Sequence, residues 1–567
     1  MIRYLLVLVF LALAAVVRGS GTPQGGADFV DVARTAGLTV STVFGGEKTK
    51  RYILETTGGG VAFFDYDNDG WLDIFLVNGA RFGSQSGATN HLYRNRRDGT
   101  FQDLTRRAGF DRGGWGQGVC AGDFDNDGNT DLLVTYWGHN VLYRNRGDGT
   151  FTDVTEAAGL KQHRVRWGSG CAFLDYDRDG LLDLFIANYI DFDPKTAPDP
   201  GSGPNCHYRG LPVNCGPRGL KGESNVLFHN EGRGRFRDVS DSSGVSGARP
   251  HYGLGVLTAD FDNDGWVDIY VANDKTASLL FHNKRDGTFE EIGVYSGTAY
   301  DADGSVTSGM GVAAGDFDRD GWLDILKTNF SDESASLYQN RRDGLFLDAA
   351  LQLGLGGNQK WVGWGCGLAD FDNDGWPDIL IVNGHVFPEL DGAGLGSSFR
   401  QPRVLYRNIR GERFEDVSAS AGPAITTPAA SRGAAFGDFD NDGALDVVIN
   451  NMNDKPALLR SQNRRRNHWV LIRLEGSRSN RSAIGTRVTC VTGIRRQIDE
   501  VRSGGSFFSQ NDFRIHFGLG SARQIDLIEI RWPSGAVQHL RGCDVDQIID
   551  IKEGVKEALA GTCETTP

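Results

Sequence analysis

The sequence predicts an all-β protein: a seven-bladed β-propeller from about residue 28 to 462, then a small β-domain at 467–555 and a tail at 556–567. Three observations lead there. An acidic nonapeptide, D-x-D-x-D-G-x-x-D, occurs seven times. A short segment of small apolar residues precedes every copy. An apolar strand and a Gly-containing turn follow nearly every copy, the pattern of a hairpin.

The N-terminus comes first. Arg3, a 14-residue apolar run from Tyr4 to Val17, and the small residues Gly19, Ser20 and Gly21 read as an export signal at 1–19. Fourteen residues are short for a bilayer span, and no later segment competes. The mature chain is therefore expected to be secreted, extracellular or periplasmic, with no transmembrane span. Composition narrows the class further. With 39 % hydrophobic residues and 32 Phe, 15 Tyr and 11 Trp, the chain is not a disordered one. Its 78 glycines follow no G-X-Y period, which excludes collagen. Acids outnumber bases 73 to 59, for a net charge of −14, and no long basic run occurs, so nucleic acid is not an expected partner.

The acidic loops come next. Their aspartates are Asp65, Asp67, Asp69 and Asp73; Asp123, Asp125, Asp127 and Asp131; Asp175, Asp177, Asp179 and Asp183; Asp260, Asp262, Asp264 and Asp268; Asp316, Asp318, Asp320 and Asp324; Asp370, Asp372, Asp374 and Asp378; and Asp438, Asp440, Asp442 and Asp446. Calcium takes six to eight oxygen ligands, and alternate positions of a tight loop point carboxylates inward. Glycine at position 6 permits the turn. Four carboxylates within nine residues repel one another unless a cation lies between them, so up to seven structural calcium ions are expected. An acidic surface turn would explain one copy but not seven in register.

The strands follow from the spacing. Gly60, Gly118, Gly170, Gly255, Gly311, Gly365 and Gly433 each stand five residues before a loop, where innermost strands crowd an axis. Segments such as LYRNRRDGTFQDL supply third and fourth strands, with outer strands beginning at Phe101, Phe151, Phe236, Phe289, Phe346 and Phe414. The seventh outer strand is expected in DFVDVARTAGL at 28–38, closing the ring and removing free edges.

These residues resemble the FG-GAP/VCBS repeats, the calcium-loop blades of integrin α-subunit propellers. The resemblance implies an extracellular, calcium-stabilised interaction scaffold and names no ligand. Beyond Asn467, SNRSAIGTRV (479–488), GGSFFSQND (504–512), HFGLG (516–520) and IRWPSG (530–535) resemble the ASPIC/UnbV domain that follows such a propeller in the cartilage acidic protein family.

Topology assigns two faces. Acidic loops and RDG-type turns share one; connections between second and third strands and between blades share the other. That second face gathers the long insertion at about 190–224 and, from inter-blade loops, Trp115, His163, Arg166, Trp167, His251, Tyr252, Lys360 and Trp364. Aromatic and cationic side chains suit sugar rings and acidic groups, though each Trp equally suits packing between blades. The expected partner is an extracellular glycan, or a matrix or cell-surface protein. The tripeptide Arg146–Gly147–Asp148 replaces RDG in a hairpin turn and reads as a turn, not an adhesive motif.

In an exported chain Cys206 is expected to pair with Cys215; Cys543 could pair with Cys563 near the C-terminus, but the sequence leaves the pairing of Cys490, Cys543 and Cys563 open. Cys120, Cys171 and Cys366 sit in repeated strand positions and read as small buried residues. No G-x-S-x-G, H-E-x-x-H or GxxxxGK[ST] occurs, and no catalytic residue is assigned. A binding or adhesion scaffold is favoured over a calcium-dependent polysaccharide lyase or hydrolase using His163, His251, Lys360 or His385, and over an assembly factor for other exported proteins.

Overall fold

The computed structural model describes residues 27–83, 88–247, 250–462 and 467–563; the expected export signal lies outside the described residues. Among them, strand pairing builds seven four-stranded antiparallel sheets. The first runs outward through Val61–Phe64, Asp73–Leu76, His91–Asn95 and Phe101–Asp103. The other innermost strands are Trp115–Gly122, Arg166–Leu174, Gly253–Ala259, Val312–Gly315, Gly363–Ala369 and Ser431–Gly437. Phe29–Asp31 pairs with Ala457–Ser461, so the N-terminal strand completes the last sheet as expected. The second and third sheets are further joined where Arg166 and Trp167 pair with Gly138 and Trp137.

The repeated glycines explain how tightly the sheets converge. A Cβ on Gly118 would lie 2.6 Å from the Ser169 carbonyl. Cβ atoms on Gly170, Gly255 and Gly311 would strike the carbonyls of Leu254, Met310 and Trp364. Each carbonyl belongs to the residue before the next sheet's own glycine. Gly433 would meet the Gly59 carbonyl at 2.8 Å, so the last sheet abuts the first.

The C-terminal β-domain has His468–Glu475 between Ile515–Gly520, antiparallel, and Gln547–Lys552, parallel. A second sheet orders Arg495–Glu500, Arg487–Thr492, Gln524–Arg531 and Val537–Asp544. Asp550 of the last strand pairs with Ala560, and Cys563 bonds Cys543 of the strand before it, so the expected tail is tied to the domain as far as Cys563.

One segment of this domain, residues 503–512, occupies the axis of the ring. Phe63 N donates to Gln510 O (3.0 Å), Val119 N to Phe508 O (2.9 Å) and Val312 N to Ser506 O (2.9 Å). Phe173 N donates to Ser503 Oγ (3.2 Å), Cys366 N to Ser506 Oγ (3.1 Å) and Phe436 N to Asn511 Oδ1 (3.1 Å). Innermost strands of six sheets therefore bond to one loop. Their inward N–H groups would otherwise be buried without partners, which is costly. Phe507 and Phe508 are 0 % and 3 % exposed and stack on one another. The "packed β-domain" read from the sequence is thus also the plug of the ring.

The Cys206–Cys215 pair forms as expected, and among the cysteines whose pairing the sequence leaves open Cys543 bonds Cys563. Cys120 and Cys171 are not the free residues expected: they are bonded to each other, because adjacent innermost strands bring their Cα atoms to 5.9 Å. Cys366 and Cys490 are free and buried. No helix among the described residues is long and apolar enough to cross a membrane.

Candidate metal loops and the opposite face

All seven acidic loops share one backbone scheme. In the first, Gly70 N donates to Asp65 Oδ2 (2.8 Å) and Tyr66 N to Asp73 Oδ2 (3.1 Å). Asp73 Oδ1 accepts Asn95 N (2.7 Å), which ties the loop to the third strand. In six loops Oδ1 of the first aspartate also accepts the N–H of the fifth residue, as Asp65 does from Asp69 (2.9 Å). In the third loop Asp175 Oδ1 accepts nothing.

The loops are also bonded to one another. Position 4 is left-handed in each, with φ from 56° at Asn68 to 61° at Arg178, a conformation asparagine tolerates. There Asn68 Nδ2 donates to Gly128 O (2.9 Å), Asn126 to Gly180 O (3.0 Å), Asn373 to Gly443 O (2.9 Å) and Asn441 to Gly70 O (3.1 Å). A second set runs the other way from the end of the third strand: Asn145 Nδ2 to Tyr66 O (2.7 Å), Asn230 to Phe124 O (2.8 Å) and Asn283 to Tyr176 O (2.8 Å). Neither set was singled out in the sequence, although the N of LYRN and the N of DNDG signal them.

The electrostatics call for a cation. Burial, reinforced by neighbouring carboxylates, pushes Asp175 up to about 8 and Asp123 and Asp316 up to about 7. Asp67 Oδ1, Asp125 Oδ1, Asp177 Oδ1 and Asp440 Oδ1 are buried with no hydrogen-bond partner. Carboxylate oxygens of Asp65, Asp67 and Asp73, and those of Asp123, Asp125 and Asp127, lie within 4.8 Å of one another. This donor set, all oxygen with orphaned atoms turned inward, fits a hard divalent ion. The sequence reading overlooked a third-strand residue that faces each loop. Arg94 Nη2 lies 2.8 Å from Asp67, Arg144 Nε 2.7 Å from Asp125 and Arg460 Nη2 2.6 Å from Asp440.

The C-terminal domain covers the same face. Ser482 Oγ accepts Asp123 N (2.9 Å), Arg514 Nη2 donates to Asp438 O (2.7 Å) and Asn467 Nδ2 to Asp372 O (2.8 Å). In the Arg146–Gly147–Asp148 turn, Asp148 Oδ1 accepts Thr150 N (3.0 Å), as Asp98 does from Thr100 in the first sheet. Asn329 and Asn480, each opening an N-x-S triplet, are buried, with side-chain amides donating to Ser334 O and Ile484 O.

On the opposite face the residues singled out separate into two groups. Trp115, Trp167 and Trp364 are buried between sheets; Trp167 Nε1 donates to Gln117 Oε1 (3.1 Å) and Trp364 Nε1 to Gly384 O (2.7 Å). His163 and Lys360 are exposed, and Arg166, His251 and Tyr252 partly buried. Tyr252 OH donates to Leu220 O of the insertion (2.8 Å), and His251 pairs through its backbone with Glu223. His385 is fully buried against Tyr208, Phe330 and Phe387, and burial lowers it to about 3, so it is no accessible base. The disulfide-closed insertion arches over the ring and leaves a cavity of about 260 Å³, walled by Tyr208, Phe330, Phe387 and Trp364 with Asp274 and Lys275. Asp274 Oδ2 accepts the Tyr189 hydroxyl (2.6 Å), and Lys275 pairs with Glu333. Sequence reasoning missed this cavity because the insertion has no periodicity to place it.

Comparison with known proteins fits this arrangement. Residues 65–134, 123–186, 219–271 and 260–326 match the FG-GAP-like repeat, and residues 476–558 match ASPIC and UnbV. The chain is similar to Cartilage acidic protein 1 of Xenopus tropicalis, 25 % identical over 525 residues, covering 87 % of this chain and 73 % of the relative. It is similarly 25 % identical over 397 residues to Cartilage acidic protein 1 of Homo sapiens, covering 68 % of this chain and 53 % of the relative. A solved Agrocybe aegerita lectin, described as recognising non-reducing terminal N-acetylglucosamine, aligns at 16 % identity and a TM-score of 0.36 over 71 % of this chain and 94 % of its own.

Proposed function

We propose that this chain, made of FG-GAP-like repeats followed by an ASPIC and UnbV domain, is an exported, calcium-stabilised scaffold that binds an extracellular glycan or protein. The binding surface is the face away from the acidic loops. One observation carries the assignment of that face: the C-terminal domain lies on the acidic loops and its 503–512 segment fills the axis of the ring. The open face is the one bearing the insertion and its cavity.

The four aspartates of each repeat would hold a divalent cation, calcium where the ligands are oxygen alone, which supplies positive charge among carboxylates that otherwise repel; its role is structural. The cavity wall offers aromatic faces for stacking on sugar rings or apolar side chains, with Asp274 and Lys275 as polar contacts. Three disulfides favour an oxidising compartment.

The test exposes the mature protein to a panel of acidic and neutral polysaccharides and matrix proteins, scoring retention and soluble products in calcium and in chelator. Retention that needs calcium, yields no products and is lost in Tyr208→Ala supports the reading. Released unsaturated sugars would replace it with a lyase.

A further inference from the structure

The loop sites are not chemically equal, and the residue that differs is the one the third strand points at each loop. Arginine takes that place in the first, second, sixth and seventh sheets (Arg94, Arg144, Arg407 and Arg460), and Gln339 in the fifth. The third and fourth sheets place His229 and His282 there. A guanidinium only donates, so it neutralises carboxylates but cannot ligate an ion, whereas a neutral imidazole has a lone pair to give.

The third loop differs from the fourth in keeping buried carboxylate oxygens without hydrogen-bond partners. Asp175 is 6 % exposed, yet its Oδ1 has no hydrogen-bond partner, and neither has the buried Asp177 Oδ1. His229 Nδ1 lies 3.4 Å from Asp177 Oδ2 and 3.1 Å from Asp183 Oδ1. Two ligands held ~2.0–2.2 Å from one zinc at a tetrahedral angle stand roughly 3.3–3.6 Å apart; the Asp177 separation falls in that range, and the Asp183 one is that of a hydrogen bond, which zinc would replace. Oxygens of Asp175, Asp177 and Asp183 share a cluster within 4.8 Å, and so do Asp177, Asp179 and His229. The Tyr176 ring meets the imidazole edge-on at 6.0 Å and fixes its plane.

We propose that the third loop is a transition-metal site, with His229, Asp177, Asp183 and Asp175 as ligands, taking zinc in preference to calcium. The inference rests on the acidic loops being cation sites. Imidazole nitrogen favours borderline ions such as zinc over calcium, which prefers oxygen alone. A set of three carboxylates and one imidazole fills a tetrahedral shell without recruiting the backbone carbonyl of position 7. The arginine loops lack this option.

The experiment uses the full mature chain carrying His282→Gln, so that the fourth loop contributes no imidazole. Zinc is the probe, added in millimolar calcium, and both metals are counted after dialysis. The expected result is one zinc retained per chain, with an X-ray absorption shell of nitrogen and oxygen near ~2.0 Å. Adding His229→Gln, or separately Asp177→Asn, should weaken zinc at least ~10-fold while the remaining calcium persists. Zinc displaced by calcium, or held equally well without His229, overturns the proposal. Calcium bound without zinc sinks this inference alone; neither metal bound sinks the cation-loop reading beneath it as well.

Discussion

Replacing Phe507 with alanine tests whether the C-terminal domain is the plug of the ring or merely a neighbour. The Phe507 ring is 0 % exposed, lies 4.8 Å from Trp364 of the sixth sheet and stacks at 3.9 Å on Phe508. Truncating a fully buried phenylalanine costs ~3–5 kcal/mol, transfer and cavity terms together. The backbone is untouched, so Ser506 O and Phe508 O still receive Val312 N and Val119 N. The loss therefore reports side-chain packing at the axis. Against an ordinary stability of ~5–15 kcal/mol, such a loss is large. Urea unfolding in saturating calcium, read by tryptophan emission and far-ultraviolet circular dichroism, measures it. Because two domains are involved, both probes must move together for a single value to hold. The plug reading expects the propeller transition itself to fall by ~3–5 kcal/mol. A change below ~1 kcal/mol, or one confined to a separate C-terminal transition, would refute it.

Other outcomes follow from the same contacts. Asn283→Ala leaves the buried carbonyls of Tyr176 and Val267 without donors and should cost ~1–3 kcal/mol, checked by chemical denaturation. Buried Lys327, donating to Thr307 Oγ1 (3.0 Å) and Tyr338 OH (2.8 Å), is lowered by burial from 10.5 to about 8. The unfolded chain binds its proton more tightly, so this contribution is present above about 10.5 and lost as pH falls through about 8. Lys327→Met should therefore flatten the stability–pH slope across that window; a parallel slope would contradict the buried amine.

Much of this was legible because repetition makes it so. Seven loops in register, a glycine five residues before each, and an N-terminal segment with the outer-strand pattern carried the sheets and the N-terminal closure. Cys206 and Cys215 were readable because nine residues separate them in a turn-rich stretch. Cys120 and Cys171 were not, since 51 residues part them and only the convergence of innermost strands brings them together. The plug was hidden for a similar reason: GGSFFSQND reads as a polar loop with two aromatics, and nothing local says that six sheets bond to it. Trp115, Trp167 and Trp364 serve packing because an inter-blade tryptophan has the same sequence signature as a ligand contact. The residue before each LYRN-type asparagine was visible as Arg, His or Gln, but its meaning needs the distance to the loop.

The most direct test of the account is calcium binding to the metal-stripped mature protein, counted by titration and paired with melting in calcium and in chelator. Each site at 100-fold its dissociation constant adds ~2.7 kcal/mol. The account predicts several calcium ions per chain, a large fall in melting temperature on chelation, and loss of one ion in Asp370→Asn. No bound calcium and an unchanged melt in chelator would contradict it.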